Sequence, residues 1–326
     1  MPDDMPRDLP EDMERQPVIP PPPPGGDHCY RHPAVPTGVH CTRCGRPICP
    51  DCMVAAPVGH HCPTCVAEAR REYRQGPGRR VAIANAKATS VASLLLVLIG
   101  VGYVLEVAAG GAGSLVGGPN AADLVGMGAS VGLAAIQNEL VGIAAGQEWR
   151  MLTAIFLHAG IFHLLMNAYA LWIFGPVVER ELGRVRFLMI FLTTGVFASA
   201  ASYAFSSIPG PVGVGASGAI FGVVGAFVAY NYRHRELALA AARLRGLVPF
   251  LVLNVIFSIS LSFVDWRAHL GGFVSGLVAG VVSEGWGNRS MRTAIAVAGF
   301  AALVVGALVL AAWKTAQYRD AFPGVL

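Results

Sequence analysis

The sequence predicts an all-α polytopic membrane protein of seven spans, preceded by a small zinc-binding module. Three observations carry that expectation. Of 326 residues, 54% are hydrophobic and only 13% charged, with a mean hydropathy of +0.54; soluble domains average about 25% charged residues. The apolar residues fall into charge-free runs close to the ~20 residues needed to cross some 30 Å of hydrocarbon. All seven cysteines lie between Cys29 and Cys65, outside those runs. The net charge of +4 forms no basic stripe with interleaved aromatics, so nucleic acid is not an expected partner.

Residues 1–27 mix acids with prolines, including the run Pro20 to Pro24, and read as a disordered or polyproline leader. With no apolar h-region near the start, no cleavable signal peptide is expected and the N-terminus is assigned to the cytoplasm. Residues 28–66 hold four ligand pairs: Cys29 with His32, Cys41 with Cys44, Cys49 with Cys52, and Cys62 with Cys65. Each two-residue gap lets both side chains reach one tetrahedral ion. On a cytosolic segment such pairs favour metal over disulfides. Eight ligands suit two structural zinc ions. The spacing is similar to B-box-like and other cross-braced modules, in which pairs one and three hold one ion and pairs two and four the other. His60 and His61 remain alternative ligands for the last pair. All eight positions are claimed, so no cofactor is expected for catalysis, and the module is read as presenting a surface to a cytoplasmic protein partner or a substrate tail. Residues 67–87 form a basic linker containing Arg70, Arg71, Arg74, Arg79, Arg80 and Lys87.

The charge map then marks the spans. Ala88 to Leu105 is charge-free, 107–150 is glycine- and alanine-rich, and Met151 to Val178 carries only two histidines. Between Arg186 and Arg233 nothing is charged; Pro209-Gly210-Pro211 divides that stretch into two spans. Gly246 to Val264, Ala268 to Ser283 and Thr293 to Trp313 complete the seven. Short loops after spans two, four and six carry Arg180, Arg184, Arg186, Arg233, Arg235, Arg243, Arg245, Arg289 and Arg292. Positive loops stay inside, which predicts a multi-pass protein of the plasma membrane with its C-terminus outside.

Polar side chains within spans are expensive and point to function. They are His158, His163 and Asn167 in span two, Ser217 in span four and His269 in span six. His163 and Asn167, four apart, share a helix face. Ser217 begins a helix just after the proline break, where free N–H groups and the positive dipole end favour a developing oxyanion. His269 lies about a turn inside its helix, at a depth similar to Ser217. A hydroxyl beside an imidazole is the minimum for nucleophilic acyl transfer. Gly272, Gly276 and Gly280, with Gly218 and Gly222, give the small-xxx-small spacing that lets the two helices approach. Asp265, four residues before His269, is read as a helix cap.

Three motifs in this order and spacing, Gly146 to Asn167 with Trp149-Arg150 and His158-x4-His163-x3-Asn167, Gly215-Ala216-Ser217-Gly218, and Ala268-His269-Leu270-Gly271-Gly272, resemble the rhomboid intramembrane proteases over about residues 85–284. The resemblance implies a rhomboid-like six-helix core over 88–284, with residues 285–326 adding a seventh helix and a short outside tail. It further implies Ser217 as nucleophile, His269 as general base, and His163, Asn167 and the Ser217 N–H as oxyanion hole. Trp149-Arg150 and Glu179 match family positions read as structural. Phe221 stands where many members carry tyrosine; it keeps an aromatic face for the imidazole and offers no hydroxyl.

The expected function is therefore an intramembrane serine endopeptidase that cuts transmembrane protein substrates near the outer membrane face, in the lipid bilayer. Unwinding a substrate helix favours helix-weakening residues near the cut. A catalytically silent member that binds transmembrane helices, with the zinc module recruiting partners, is the alternative. A solute transporter fits poorly, lacking an acidic relay and paired interrupted helices.

Overall fold

The computed structural model describes residues 27–56, 58–75, 90–111, 113–260 and 264–325. The proline-rich leader and most of the basic linker lie outside the described residues. The chain divides into two compact units, Met1–Ala88 and Thr89–Leu326.

The first unit is a small cysteine-rich module. Its core is made of the buried cysteines around Ile48, which is fully buried. Two-residue strands β1 (Val54–Ala55) and β2 (His60–His61) pair antiparallel, and helix α1 (Pro63–Gln75) follows directly. So little apolar surface cannot hold a domain without staples.

Among the described residues the second unit is built from seven long helices: α2 (Val91–Gly110), α3 (Ile161–Leu182), α4 (Arg184–Phe205), α5 (Ser217–Arg233), α6 (Ala238–Ser260), α7 (Trp266–Glu284) and α8 (Arg289–Ala321). Five of them, α2, α3, α4, α6 and α8, are long and apolar enough to cross a membrane. At 17 residues and ~1.5 Å per residue, α5 spans about 26 Å, short of the ~30 Å hydrocarbon core. Helix α4 is the central post, with 61% of its span buried against α5, α7 and α8, whereas α6 has only 11% buried and lies at the rim.

Helices α5 and α7 pack more closely than any other pair. A Cβ on Gly272 or Gly276 would run into the carbonyl of Gly218 or Gly222, and one on Gly280 would meet Ala226 Cα at 2.8 Å. Glycine spacing therefore sets the distance between the helices that carry Ser217 and His269.

The arginine-bearing turns meet at one end of the unit. Arg243 bonds Glu181 at 3.1 Å, Tyr230 donates to Glu181 at 2.8 Å, His234 bonds Glu284 at 2.7 Å and Arg292 donates to the Glu284 carbonyl at 2.7 Å. The connection between α4 and α5, the start of α7 and the end of α8 lie at the other.

Between α2 and α3 the chain forms a compact first loop. It holds short helices, a hairpin of β3 (Ala134–Ile136) and β4 (Glu139–Val141), and the turns leading to α3. Gln137 and Asn138, with φ of 50° and 65°, make the two-residue left-handed turn that such a hairpin needs. Arg150, 3% exposed, is its hub: the guanidinium donates to the carbonyls of Val125 (2.6 Å) and Ala129 (3.1 Å) and to Gln147 Oε1 (2.7 Å), and stacks on Trp149. Glu179 accepts from Ser90 Oγ and from the N–H groups of Val91 and Ala92, capping α2. Both residues are thus structural ties.

Candidate active site

Ser217 is the first residue of α5, half-buried, with the free N–H groups of a helix start around it. The approach to it is fixed by backbone. Gly213 and Ser130 exchange hydrogen bonds of 2.7 and 2.9 Å, and Gly215 N donates to Ala154 O at 2.8 Å. Gly215 has φ of +118°, a conformation suited to glycine.

His163 and Asn167 project from one face of α3 toward that glycine. A Cβ on Gly215 would lie 2.7 Å from His163 Nε2 and 3.6 Å from Asn167 Nδ2, so both donors converge two residues before Ser217. Ala159 N donates to His163 Nδ1 at 3.4 Å, which leaves Nε2 as the protonated, donating nitrogen. Asn167 is 5% exposed and its Nδ2 has no hydrogen-bond partner among the described residues. A buried donor left unpaired costs about 1–3 kcal/mol and calls for a reason.

His269 sits on the first turn of α7, stacked on Phe221 with ring centroids 4.3 Å apart and planes at 16°. Its Nδ1 lies 3.2 Å from Ser258 Oγ of α6. Among the described residues no hydrogen bond joins Ser217 and His269. Asp265 caps α7 through the N–H groups of Arg267 (3.1 Å) and Ala268 (3.2 Å), and its other oxygen accepts from Ser202 Oγ. The carboxylate is fully engaged as a cap, and Ser258 takes the place beside Nδ1.

His158 differs from the sequence expectation. It precedes α3, which starts at Ile161 after Gly160 with φ of +143°, a turn that no charge pattern marks. Its ring is fully buried 5.3 Å from that of His163, with neither nitrogen bonded among the described residues. Sequence reasoning also missed Glu106, fully buried in α2, whose carboxylate accepts the His158 N–H at 3.0 Å from both oxygens. The available signal was the single acid closing the charge-free run of the first span.

In the first unit the eight sulfur and imidazole ligands form two groups, Cys29, His32, Cys49 and Cys52, and Cys41, Cys44, Cys62 and Cys65. Within each, one ligand atom per residue lies within 4.8 Å of the others. This is the cross-braced pairing of first with third and second with fourth. Cys44 Sγ and Cys62 Sγ are 3.7 Å apart, close to the ~3.8 Å edge of a tetrahedron with metal–sulfur bonds of about 2.3 Å. His32 Nδ1 lies 3.2 and 3.5 Å from Cys49 and Cys52 Sγ. His60 and His61 belong to neither group. Burial raises the Cys29 and Cys41 thiols, but N–H groups aimed at them, those of Cys49 and Cys62 foremost, outweigh it and hold both at about 6. Burial and neighbouring sulfurs push Cys52 up to about 11 and Cys65 to about 12. The two groups fit metal ions by donor type, number and spacing.

The sequence is similar to those of known proteins. The Rhomboid domain family profile matches residues 145–284. Rhomboid protease GluP of Bacillus subtilis (strain 168) is 40% identical over 149 residues, 46% of this chain and 28% of that protein. YdcA of the same organism, whose name also carries the words rhomboid protease, is 35% identical over 138 residues, 42% of this chain and 68% of YdcA. RHOMBOID-like protein 1 of Arabidopsis thaliana is 38% identical over 137 residues, 34% of its length. The chain thus spans about a third or less of two of these three relatives.

Proposed function

The chain belongs to the rhomboid family, and from that premise we propose that it is an intramembrane serine endopeptidase with Ser217 as nucleophile and His269 as general base. The observation that carries the reading is the unpaired, buried Asn167 Nδ2 beside Gly215, converging with the donating Nε2 of His163. A tetrahedral oxyanion formed at Ser217 would satisfy Asn167 Nδ2, His163 Nε2–H and the Ser217 N–H together.

The chemistry follows from the residues. Ser217 Oγ attacks the scissile carbonyl carbon while its proton passes to His269 Nε2, the nitrogen left free when Nδ1 bonds Ser258. Collapse of the intermediate breaks the C–N bond, and His269 returns the proton to the leaving amine. Water then attacks the acyl-serine by the same route, releasing the acid and restoring the hydroxyl. Phe221 stacking fixes the plane of the imidazole. Hydrogen bonds between nucleophile and base are often long in free enzymes and close with substrate.

Transmembrane protein segments are the proposed substrates. The proposed membrane is the plasma membrane, with the arginine-rich end and the N-terminus in the cytoplasm, the serine opening toward the outer face and the C-terminus outside. Seven crossings are proposed, the short α5 and α7 included. The domain bounds proposed are a leader to 27, a module of 28–66, a linker of 67–87, a protease core of 88–284 and a final helix and tail of 285–326. The metal proposed for both groups of the first unit is zinc, with a structural role and no part in the reaction; that module would recruit a cytoplasmic partner.

The missing hydrogen bond between Ser217 and His269 favours a second reading, a catalytically silent protein that binds transmembrane helices. One experiment separates the two: purified wild type, Ser217→Ala and His269→Ala are treated with a fluorophosphonate probe and incubated with a panel of single-span membrane proteins. Labelling and cleavage by wild type alone support the protease. Cleavage surviving in Ser217→Ala removes Ser217 from the role, and an unreactive, inactive wild type leaves the silent binder.

A further inference from the structure

Helix α8 lies beyond the matched family domain, which ends at residue 284, and is longer than a membrane needs. Its 33 residues extend about 50 Å, against ~30 Å of hydrocarbon. The excess at its C-terminal end carries unusual side chains. Lys314 is 5% exposed, and its Nζ donates to the Ser206 carbonyl at 2.7 Å and to Gln317 Oε1 at 3.3 Å. No carboxylate among the described residues lies within ion-pair distance of it. Burying a cation is costly unless hydrogen bonds answer it, and here a backbone carbonyl and an amide oxygen do so. One turn on, Tyr318 is fully buried, stacks on Tyr203 at 5.6 Å, and its hydroxyl accepts from Gly210 N at 3.1 Å. Thr315 bonds the Tyr203 hydroxyl at 3.1 Å. A Cβ on Gly132 of the first loop would collide with the Tyr318 hydroxyl, so that loop rests on the same tyrosine.

Two of these contacts, those to Ser206 and Gly210, fall on the segment that delivers the serine. Between the end of α4 at Phe205 and the start of α5 at Ser217, the chain is held at Ser206 by Lys314 and at Gly210 by Tyr318. It is then held at Gly213 by Ser130 and at Gly215 by Ala154. The first two fixings come from α8 and the last two from the first loop.

We propose that the projecting end of α8 is a positioning device for the active site: Lys314 and Tyr318 clamp residues 206–210 and so set where the helix of Ser217 begins. This rests on the reading of Ser217 as nucleophile. Neither residue touches the reacting atoms. They act through the loop, on the placement of the hydroxyl and of the Ser217 N–H.

The test uses the purified full chain as wild type, Tyr318→Phe, Lys314→Met and Lys314→Arg. Tyr318→Phe keeps the ring and its stacking and removes only the acceptor of Gly210 N–H. Hydrogen–deuterium exchange is measured over peptides spanning 206–213, with a melting curve and cleavage kinetics on the same samples. Losing one hydrogen bond speeds local exchange by about five- to tenfold. The expected result is that acceleration in Tyr318→Phe and Lys314→Met, a fall in kcat of about tenfold with KM within about twofold, and restoration by Lys314→Arg. Wild-type exchange and kcat in Tyr318→Phe and Lys314→Met would overturn the clamp, and so would a raised KM at constant kcat, which would make α8 a substrate contact. If wild type neither cleaves nor takes a serine probe, the protease reading is what fails, and exchange over 206–213 still decides whether α8 holds the segment.

Discussion

Gly276→Ala tests whether the contact between α5 and α7 sets the chemistry. A Cβ at 276 would strike the carbonyl oxygen of Gly222 and lie 2.7 Å from both its C and Cα. The atoms struck are backbone, so no side chain can swing away; ordinary contact at 3.4 Å or more requires the helices to part by about 1 Å. Overpacking of this kind costs about 1–3 kcal/mol. A displacement of about 1 Å between reacting groups lowers turnover by about 10²-fold. The control is Gly246→Ala in α6, where nothing lies within 4 Å of the added methyl and helix propensity alone predicts a gain of up to about 1 kcal/mol. Thermal unfolding in detergent and cleavage of a single-span substrate are read on both variants. Gly276→Ala should melt lower and turn over at least tenfold more slowly, while Gly246→Ala matches wild type in activity. Wild-type turnover in a folded Gly276→Ala protein would show that close helix approach is not what aligns Ser217 with His269.

Asn167→Ala should lower turnover by about 10²-fold to 10³-fold with little change in substrate binding; altered affinity at unchanged turnover would remove Asn167 from the oxyanion site. The full chain should carry two zinc ions and Cys49→Ser about one, by metal analysis of purified protein, while both cleave a minimal transmembrane substrate alike. Loss of cleavage with the membrane unit still folded would tie the head to the chemistry. Zinc binding must expel the protons that Cys52, at about 11, and Cys65, at about 12, hold near neutrality. Affinity should therefore rise with pH and fall on acidification, measured by competition with a chelator. A reporter fused after Leu326 should be accessible outside intact cells, and a label at Arg243 protected; a cytoplasmic reporter would mean an even number of spans.

Part of the candidate site was legible because its signals are local. Glycines four apart on two helices, a histidine and an asparagine one turn apart, and ligand pairs with two-residue gaps are geometry written at short range: the glycines of α7 lie against the backbone of α5, His163 and Asn167 both approach Gly215, and the ligand pairs form two groups. The first loop was less legible. Its turn at 125–129 is held by Arg150 reaching carbonyls 25 and 21 residues back, a set of partners no periodicity reveals.

The same physics explains where the charge map misjudged helix ends. A charge-free run is a sound marker of a span when every charge seeks water, and it stopped the first span at Leu105 and the last at Trp313. Helix α2 continues to Gly110 because Glu106 finds a backbone N–H 52 residues away, and α8 continues to Ala321 because Lys314 finds a carbonyl 108 residues away. Each of these buried ionisable side chains is met by a distant backbone group, which lowers the cost of burying it. Each also fixes a segment beside the proposed site, Glu106 the turn before His163 and Lys314 the loop before Ser217. Charges that break the rule of the span are therefore the ones that tie the helical scaffold to the segments where catalysis is proposed.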